Sequence, residues 1–536
     1  MRSPSRRALT FALLLALLLV VVRTLVLASS GLGLAADEAH YWDWSRHLDW
    51  SYPTKGPGIA YAIAGARALL GDQPWMIRTV ATASASVAML LAFALTRASA
   101  SHLDDHQRAR AALYAAVLVA LFPAYQVTAL LATIDMPYIA CWIGACWAGL
   151  AMLRRLEDGR AAMGPAIALG LFLGVGFLFK YTILMLLPGL ALTLIVRRRH
   201  VRCWARTTGT LLAMLATILV CATPVLVWNQ REGWPTVAHL LGHLGAPGGD
   251  VPTDDTTSRA WTPLWCLEFV GAQLAIAGPA LLLMWLGARR PTPGPERAWL
   301  VAAALPILVM YLLVSLVTDA EANWPIAGYA SLLCLSAVHL PAQIDDWRER
   351  VRAWKALPTP RPKAGVLRKK PETPWQVARD LTLGYGLGLL VLLPLVTTFI
   401  TFDRLQRSER LGELVTDAID QIGVEPDALV IVTDRYTSAS RLAHELHLRL
   451  GDGAPLVTSA ASLTGDRRSA YDYWPETDPR RLRPGPVLFV GGAQERKWTR
   501  RFDTGTMTPM LTEPDDIFGG LYYAPGFVGT RQVPTP

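Results

Sequence analysis

Long apolar runs, each ending in a charged or aromatic edge, recur along this chain from residue 8 to residue 402. A helix needs about 20 apolar residues to cross a bilayer. The runs at 8–29, 75–97, 108–131, 137–153, 161–179, 183–196, 207–228, 263–287, 297–317, 325–343 and 380–402 meet or approach that length. They predict about eleven membrane helices, in a range of about 11–13, because the runs between 137 and 196 are short enough to tilt, break or re-enter. Beyond residue 402 the pattern changes to that of a small α/β unit. A strand is expected at Ala428 to Thr433, a helix near Ser438 to Leu450, and a second strand at Pro486 to Val490. No repeat of fixed period is present, which argues against a solenoid.

The elements define three segments: a helical body over 1–402, within it a Pro-, Lys- and Arg-rich linker at 344–378, and a tail at 403–536. Arg2, Arg6 and Arg7 ahead of the first run look like the start of a signal peptide. That run is longer than a signal core, carries Arg23 and is followed by many more spans, so an uncleaved first helix is the reading. Arg97, Arg154-Arg155, Arg197-Arg198-Arg199, Arg289-Arg290 and the stretch from Arg348 to Lys370 fall on one side of the predicted topology. Basic loops mark the cytoplasmic face. The N-terminus is therefore expected inside, with loops 31–73, 132–136, 229–262 and 318–324 and the tail outside.

Composition agrees with the pattern. Of 536 residues, 52% are hydrophobic and 17% charged, and mean hydropathy is +0.31, the profile of a polytopic membrane protein. The net charge of +9 follows from the basic inside loops and calls for no nucleic-acid partner. The six cysteines, at 141, 146, 203, 221, 266 and 334, lie in or beside spans and leave no disulfide framework for the tail. Walker loops, Rossmann fingerprints, nucleophile elbows and paired CxxC motifs are absent, which excludes the common soluble-nucleotide enzymes.

Candidate chemistry collects on the predicted outer face. Asp37-Glu38 directly follows the first span: a general base for an acceptor hydroxyl, or a solvated helix cap. Lys55 sits in Pro53-Thr54-Lys55-Gly56-Pro57, a rigid turn that presents either a phosphate counter-charge or a plain surface lysine. Asp135 stands between two apolar stretches at a helix start, where the dipole favours an acid. Lys180-Tyr181 interrupts another apolar run, placing a cation that meets a phosphate or snorkels. Trp228-Asn229 with Gly233-Trp234, and Glu321 with Asn323-Trp324, are aromatic-amide groups at span ends, belt residues or sugar contacts. His239 and His243 share a helix face, but no recognisable metal-ligand set surrounds them. Ionisable groups near membrane depth are costly and usually functional.

These residues carry a family resemblance. Asp37-Glu38-Ala39-His40-Tyr41-Trp42-Asp43-Trp44-Ser45 with Gly56-Pro57, Thr133-Ile134-Asp135-Met136-Pro137, and Phe179-Lys180-Tyr181-Thr182 with Pro188-Gly189 occur in order. Pro224 to Asn229 through Gly233-Trp234, Ala322-Asn323-Trp324-Pro325, Asp434-Arg435-Tyr436 and a weaker Tyr471-Asp472-Tyr473-Trp474 follow. The chain resembles the bacterial GT-C glycosyltransferases, specifically the glycosyltransferase family 39 and ArnT-like group related to protein O-mannosyltransferases. The resemblance implies a GT-C-type helical body with a small extracytoplasmic α/β domain, in the bacterial inner membrane. It implies transfer of a sugar from a polyprenyl-phosphate donor to an acceptor lipid, glycan or protein on the periplasmic face. On that resemblance Asp37 is the leading base, with Glu38 and Asp135 as further catalytic acids, and Lys55 and Lys180 face the donor phosphate. His40, Tyr41, Trp42, Tyr181, Trp228, Asn229, Glu321, Asn323 and Trp324 are the candidate substrate contacts. Some relatives carry an acid where this chain has Thr54, and many a histidine where it has Glu232. Both departures lead us to expect transfer without a metal or other cofactor. The alternative is a transporter or flippase for a lipid-linked sugar, which commonly shows paired repeats with broken helices.

Overall fold

The computed structural model describes residues 4–243, 246–250, 262–356, 371–399, 403–491, 501–511 and 520–530. The protein is a polytopic α-helical membrane protein with a sheet in its C-terminal region. Among the described residues, seven helices are long and apolar enough to cross a membrane, or eight if Leu264–Ala277 and Ala280–Arg289, which meet at 89°, form one bent span. Met163–Phe179 and Tyr181–Val196 are shorter apolar segments, in the region where broken spans were expected.

Local chemistry explains the breaks. The run 108–131 divides into Asp105–Leu121 and Pro123–Thr128. Phe122, forced out of the helical region by the following proline, lies between them at φ −65°, ψ 126°. The runs 161–179 and 183–196 are parted at Lys180, which is extended (φ −149°, ψ 120°) and followed by a 3₁₀ turn at Tyr181–Met185. An internal break in an apolar segment frees backbone groups that need partners. Here the Lys180 N–H donates to the Gly176 carbonyl at 2.8 Å and the Lys180 carbonyl accepts from Ile183 N at 3.2 Å.

The chain forms two compact units. The first comprises Met1–Arg23, Ala81–Thr223 and Trp261–Pro394. Its core holds Phe122, Tyr138, Trp142 and Trp299. The indole N–H groups are satisfied: Trp142 donates to Ser331 Oγ at 3.0 Å and Trp299 to the Cys146 carbonyl at 2.8 Å. Glycines permit close helix approach, since a Cβ at Gly189 would collide with the Ala302 carbonyl. Ion pairs Arg110–Asp345, Arg154–Glu296 and Arg197–Glu157 tie the charged ends of this unit.

The second unit comprises Thr24–Val80, Pro224–Ala260 and Leu395–Pro536. It therefore combines the first and third large loops with the tail. Its sheet contains β1 (Val430–Thr433), β2 (Leu456–Ser459), β3 (Gly485–Gly491), β4 (Phe502–Thr504), β5 (Thr508–Pro509) and β6 (Gly520–Thr530). The order is β2-β1-β3-β6-β4, with β5 also on β6; β1 pairs parallel with β2 and β3, and β6 pairs antiparallel with β3, β4 and β5. Parallel β1 and β2 need a crossover, supplied by the helix Tyr436–Leu450. That helix packs on a short helix of the first loop, Ala36–Arg46, which carries the acid pair. The first span is α1 (Pro4–Ser29), and the first-loop helices that follow are α2 (Ala36–Arg46) and α3 (Gly58–Leu70).

Candidate functional site

The fate of the acid pair is decided on α2. Asp37 and Glu38 both lie in its first turn, where the helix dipole favours carboxylates. Consecutive helical residues point about 100° apart. Asp37 is exposed, whereas every residue from Glu38 to Ser45 is buried. Glu38 is fully enclosed and paired with Arg78: Nε donates to Oε1 at 2.9 Å and Nη2 to Oε2 at 2.8 Å. Glu38 Oε2 also accepts from the Ala35 N–H at 2.9 Å, closing a cap around the helix start. Arg78 donates in addition to the carbonyls of Leu32 at 3.0 Å and Gly33 at 2.7 Å. Both Glu38 oxygens are thus committed to protein donors, while Asp37 is presented to the surroundings.

His40, Tyr41 and Trp42, the expected substrate contacts, are buried. Trp42 Nε1 donates to Asp72 Oδ1 at 2.6 Å, and Asp72 also pairs with Arg67. Burial opposes ionisation of Asp72, but the Arg67 and Trp42 hydrogen bonds outweigh it and hold its carboxyl below the usual range. His40 lies between Trp44 and Ser440, at 3.1 Å from each. Burial, followed by the positive charge of Lys55, pushes His40 down to about 3, so it is neutral.

The Lys55 turn is pinned to α2. Tyr52 stacks on Trp44 with ring centroids 4.1 Å apart, and its hydroxyl donates to the carbonyls of Trp44 and His47, each at 2.9 Å. The Lys55 carbonyl accepts from Tyr52 N at 3.1 Å, closing the turn. The same turn meets the segment after the long helix Trp204–Glu232, where Thr236 Oγ1 donates to the Tyr52 carbonyl at 3.4 Å. Asn229 stabilises that segment: its Oδ1 accepts from Thr236 N at 3.2 Å and its carbonyl from Trp234 N at 2.7 Å. The reversal places Gly233 at φ 79° and Trp234 at φ 63°, a left-handed conformation unusual for a bulky aromatic side chain. Trp228 Nε1 donates to Asp49 Oδ2 at 2.8 Å, so both Trp228 and Asn229 are buried structural members of the site.

Beyond this reversal lies a polar cluster. His239 Nδ1 is 3.1 Å from Asp250 Oδ2, His243 Nε2 is 3.1 Å from His239 Nε2, and Arg467 Nη1 is 3.1 Å from His239 Nδ1. Burial is the main cause that lowers both histidines, with Arg467 and Lys55 adding to it; His243 is pushed down to about 4. Lys55 and Arg467 therefore set a positive field over two neutral imidazoles. Among the described residues, no group of three or more His, Cys, Asp or Glu is placed to hold a metal ion.

The first unit carries a second cluster. Asp135 opens the helix Asp135–Glu157, and its Oδ1 accepts from Lys180 Nζ at 2.9 Å. Asn323 Nδ2 donates to Asp135 Oδ2 at 3.2 Å. Lys180 also stands 5.6 Å from the Tyr138 ring centroid. The helix break at Lys180 is what aims this side chain at Asp135. Trp324 packs on Tyr311 at 5.3 Å and Tyr181 on Phe177 at 4.7 Å, while Glu321 is exposed. Asp135, Lys180 and Asn323 are brought together in one unit as an ion pair with an amide donor; Asp37, Glu38, Lys55, Trp228 and Asn229 belong to the other.

Comparison with known proteins bears on this architecture. The family model for dolichyl-phosphate-mannose-protein mannosyltransferase matches residues 54–228, beginning downstream of the acid pair. Lipid A galacturonosyltransferase RgtD of Rhizobium johnstonii is 26% identical over 328 residues, covering 60% of this chain and 63% of that protein, slightly less than two thirds of its length. The crystal structure of ArnT from Cupriavidus metallidurans bound to undecaprenyl phosphate superposes with a TM-score of 0.59 at 14% identity, over 95% of this chain and 97% of that one. Its apo form gives 0.58 at 14% identity, over 96% and 98%. The chain shares the fold of ArnT and is similar to these lipid-linked glycosyltransferases.

Within this chain, several site residues carried little or no signal of their own in the sequence. Arg78 is one arginine at the edge of a span, and nothing local links it to Glu38. Arg467 is separated from His239 by 228 positions. Tyr471 lies in the weak Tyr471-Asp472-Tyr473-Trp474 echo, and its hydroxyl donates to Asp43 Oδ2 at 2.6 Å. That echo was the available clue.

Proposed function

We propose that this protein transfers a sugar from a polyprenyl-phosphate donor to an acceptor hydroxyl on the periplasmic face of the bacterial inner membrane, with Asp37 as general base. The observation that carries the reading is the solitary exposure of Asp37 at the head of a helix whose next eight residues are buried. Holding a carboxylate on a rigid, fully anchored element suits it to a proton-transfer role that depends on geometry. Full-length fold similarity to ArnT supports the reaction class, and the undecaprenyl phosphate in that protein's structure supports a lipid-phosphate donor.

In this reading the acceptor oxygen attacks the anomeric carbon while its proton passes to Asp37. The bond from that carbon to the phosphate oxygen breaks, and its electron pair leaves with the polyprenyl phosphate. Single displacement inverts the anomeric configuration. Lys55 counters the negative charge on the leaving phosphate, and Arg467 adds to the positive field. Lys180 is a second candidate phosphate partner; one of its three N–H groups is committed to Asp135, which anchors it. Glu38 acts through Arg78 by fixing the turn from which Asp37 projects. The acceptor is a lipid, glycan or protein; RgtD, named for lipid A, makes a lipid acceptor the first to try. In the same reading the N-terminus is cytoplasmic and the C-terminal α/β domain periplasmic, which the arginine distribution supports.

The test is Asp37→Asn in purified full-length protein supplied with a polyprenyl-phosphate sugar and lipid A. Loss of turnover by about 10²–10⁴-fold is expected for removal of a general base. Turnover equal to wild type refutes the assignment.

A further inference from the structure

The second unit contains a buried chain of hydrogen bonds that joins α2 to the tail. Trp44 Nε1–H donates to His40 Nε2 at 3.1 Å. That bond leaves Nε2 unprotonated, so the proton of the neutral ring is on Nδ1, which donates to Ser440 Oγ at 3.1 Å. The Ser440 hydroxyl lies 2.9 Å from the Tyr436 carbonyl and 3.0 Å from Tyr471 Oη, sharing its one proton between them. Tyr471 O–H then donates to Asp43 Oδ2 at 2.6 Å. The path leaves α2 at His40 and returns to it at Asp43, three residues on. Its two tail members, Ser440 and Tyr471, lie 400 and 428 positions from their α2 partners. All four side chains are buried, and Tyr436 also packs on the His40 ring at 4.8 Å.

The position of these groups on α2 matters. Asp37, His40 and Trp44 lie at i, i+3 and i+7, one stripe of a helix. Glu38–Arg78 fixes the start of α2 from one side, and the Ser440–Tyr471 path fixes the Asp37 stripe from another. A helix of 11 residues has little intrinsic stability of its own. Its rotation is therefore set by such contacts, and the path joins α2 to the tail at two points, His40 and Asp43.

We propose that Ser440 and Tyr471 are positioning residues for transfer: the tail holds the base-bearing helix in its reactive orientation, making the C-terminal domain part of the catalytic framework. The inference rests on the reading of Asp37 as base. It predicts that hydroxyls far along the chain, with no route to the substrate, control the rate of the chemical step.

The experiment measures polyprenyl-phosphate release by full-length Tyr471→Phe, Ser440→Ala, the double variant and Asp43→Asn, alongside Asp37→Asn. A displacement of about 1 Å at a reacting group costs up to about 10²-fold. Tyr471→Phe and Ser440→Ala should each lower kcat roughly 10- to 100-fold. Donor KM should change less than about twofold, because the lost term belongs to the transition state. The double variant should lose no more than the worse single one, since both cut the same path. Asp43→Asn, which keeps an acceptor for Tyr471, should retain most of the rate. Wild-type kcat in Tyr471→Phe or Ser440→Ala overturns the proposal. So does a loss that only tracks the amount of folded protein by thermal unfolding, or an Asp43→Asn rate as low as that of Tyr471→Phe. If Asp37→Asn abolishes release while Tyr471→Phe keeps it, this inference alone fails. If Asp37→Asn keeps full turnover, the base assignment fails instead.

Discussion

Replacing Arg78 with methionine keeps an unbranched, buried chain but deletes every donor of the guanidinium. Four hydrogen bonds end with it: two to Glu38, at 2.9 and 2.8 Å, and one each to the Leu32 and Gly33 carbonyls. Glu38 is 0% and Arg78 1% exposed, so water cannot take the place of the lost partner. Removing one member of such a pair costs about 3–5 kcal/mol, chiefly because a charge is left buried and uncompensated. In Arg78→Met combined with Glu38→Gln that charge is gone, and the Gln amide oxygen still accepts from Ala35 N. The double variant should therefore recover a large part of the loss, giving a coupling energy of roughly 2–3 kcal/mol. Reversible unfolding in mixed micelles, titrated with SDS, measures all four corners of this cycle at one pH. Polyprenyl-phosphate release measured in parallel should fall with Arg78→Met even in the fraction that stays folded, because the turn carrying Asp37 loses its anchor. If Arg78→Met costs under about 1 kcal/mol, or the two substitutions simply add, the pair does not fix the start of α2.

Two further predictions concern charge in the second unit. Glu445 is buried, and burial raises its carboxyl to about 7, with Arg449 opposing and Glu409 and Glu413 adding to the shift. Because the folded state holds this proton more tightly than the unfolded chain, Glu445 contributes stability in full below pH 4.5, progressively less as pH rises to about 7, and none above. Glu445→Gln should flatten the pH dependence of unfolding in that window and stabilise the protein at pH 8 by up to about 3 kcal/mol; an unchanged profile contradicts it. Lys55→Ala should raise donor KM about 10- to 100-fold, the value of a hydrogen bond to a charged group, and acceptor KM far less. An equal rise in both removes Lys55 from the phosphate role.

Much of this fold could be read from hydrophobic pattern alone, because bilayer thickness sets a minimum apolar length for a helix that crosses it. The α/β character of the tail was legible from the same periodicity, with β1, the helix Tyr436–Leu450 and β3 falling where Ala428–Thr433, Ser438–Leu450 and Pro486–Val490 were read. Precision ended where proline interrupts an apolar run: Pro123 decides where the helix breaks within 108–131, and the pattern shows only that the run is long, whereas the break at Lys180 falls between the runs at 161–179 and 183–196. The site was legible as a set of residue types, less so as roles. Asp37 and Glu38 are chemically alike neighbours, and only a distant arginine separates an exposed carboxylate from a buried anchor. His40 and Trp42 read as candidate substrate contacts because the groups that pack on them, Ser440, Tyr436 and His444, come some 400 residues later. Asp135 and Lys180 were each identified singly, and their pairing at 2.9 Å depends on the Lys180 helix break.

The central claim is covalent transfer of a lipid-borne sugar, and one measurement tests it most directly. Purified protein is reconstituted in vesicles with a radiolabelled polyprenyl-phosphate sugar and lipid A, and donor, product and free polyprenyl phosphate are followed together by mass spectrometry. The account predicts glycosylated acceptor and polyprenyl phosphate appearing in equal amounts, with the anomeric configuration inverted. Intact donor moving across the bilayer, with neither product formed, would contradict it and identify a flippase.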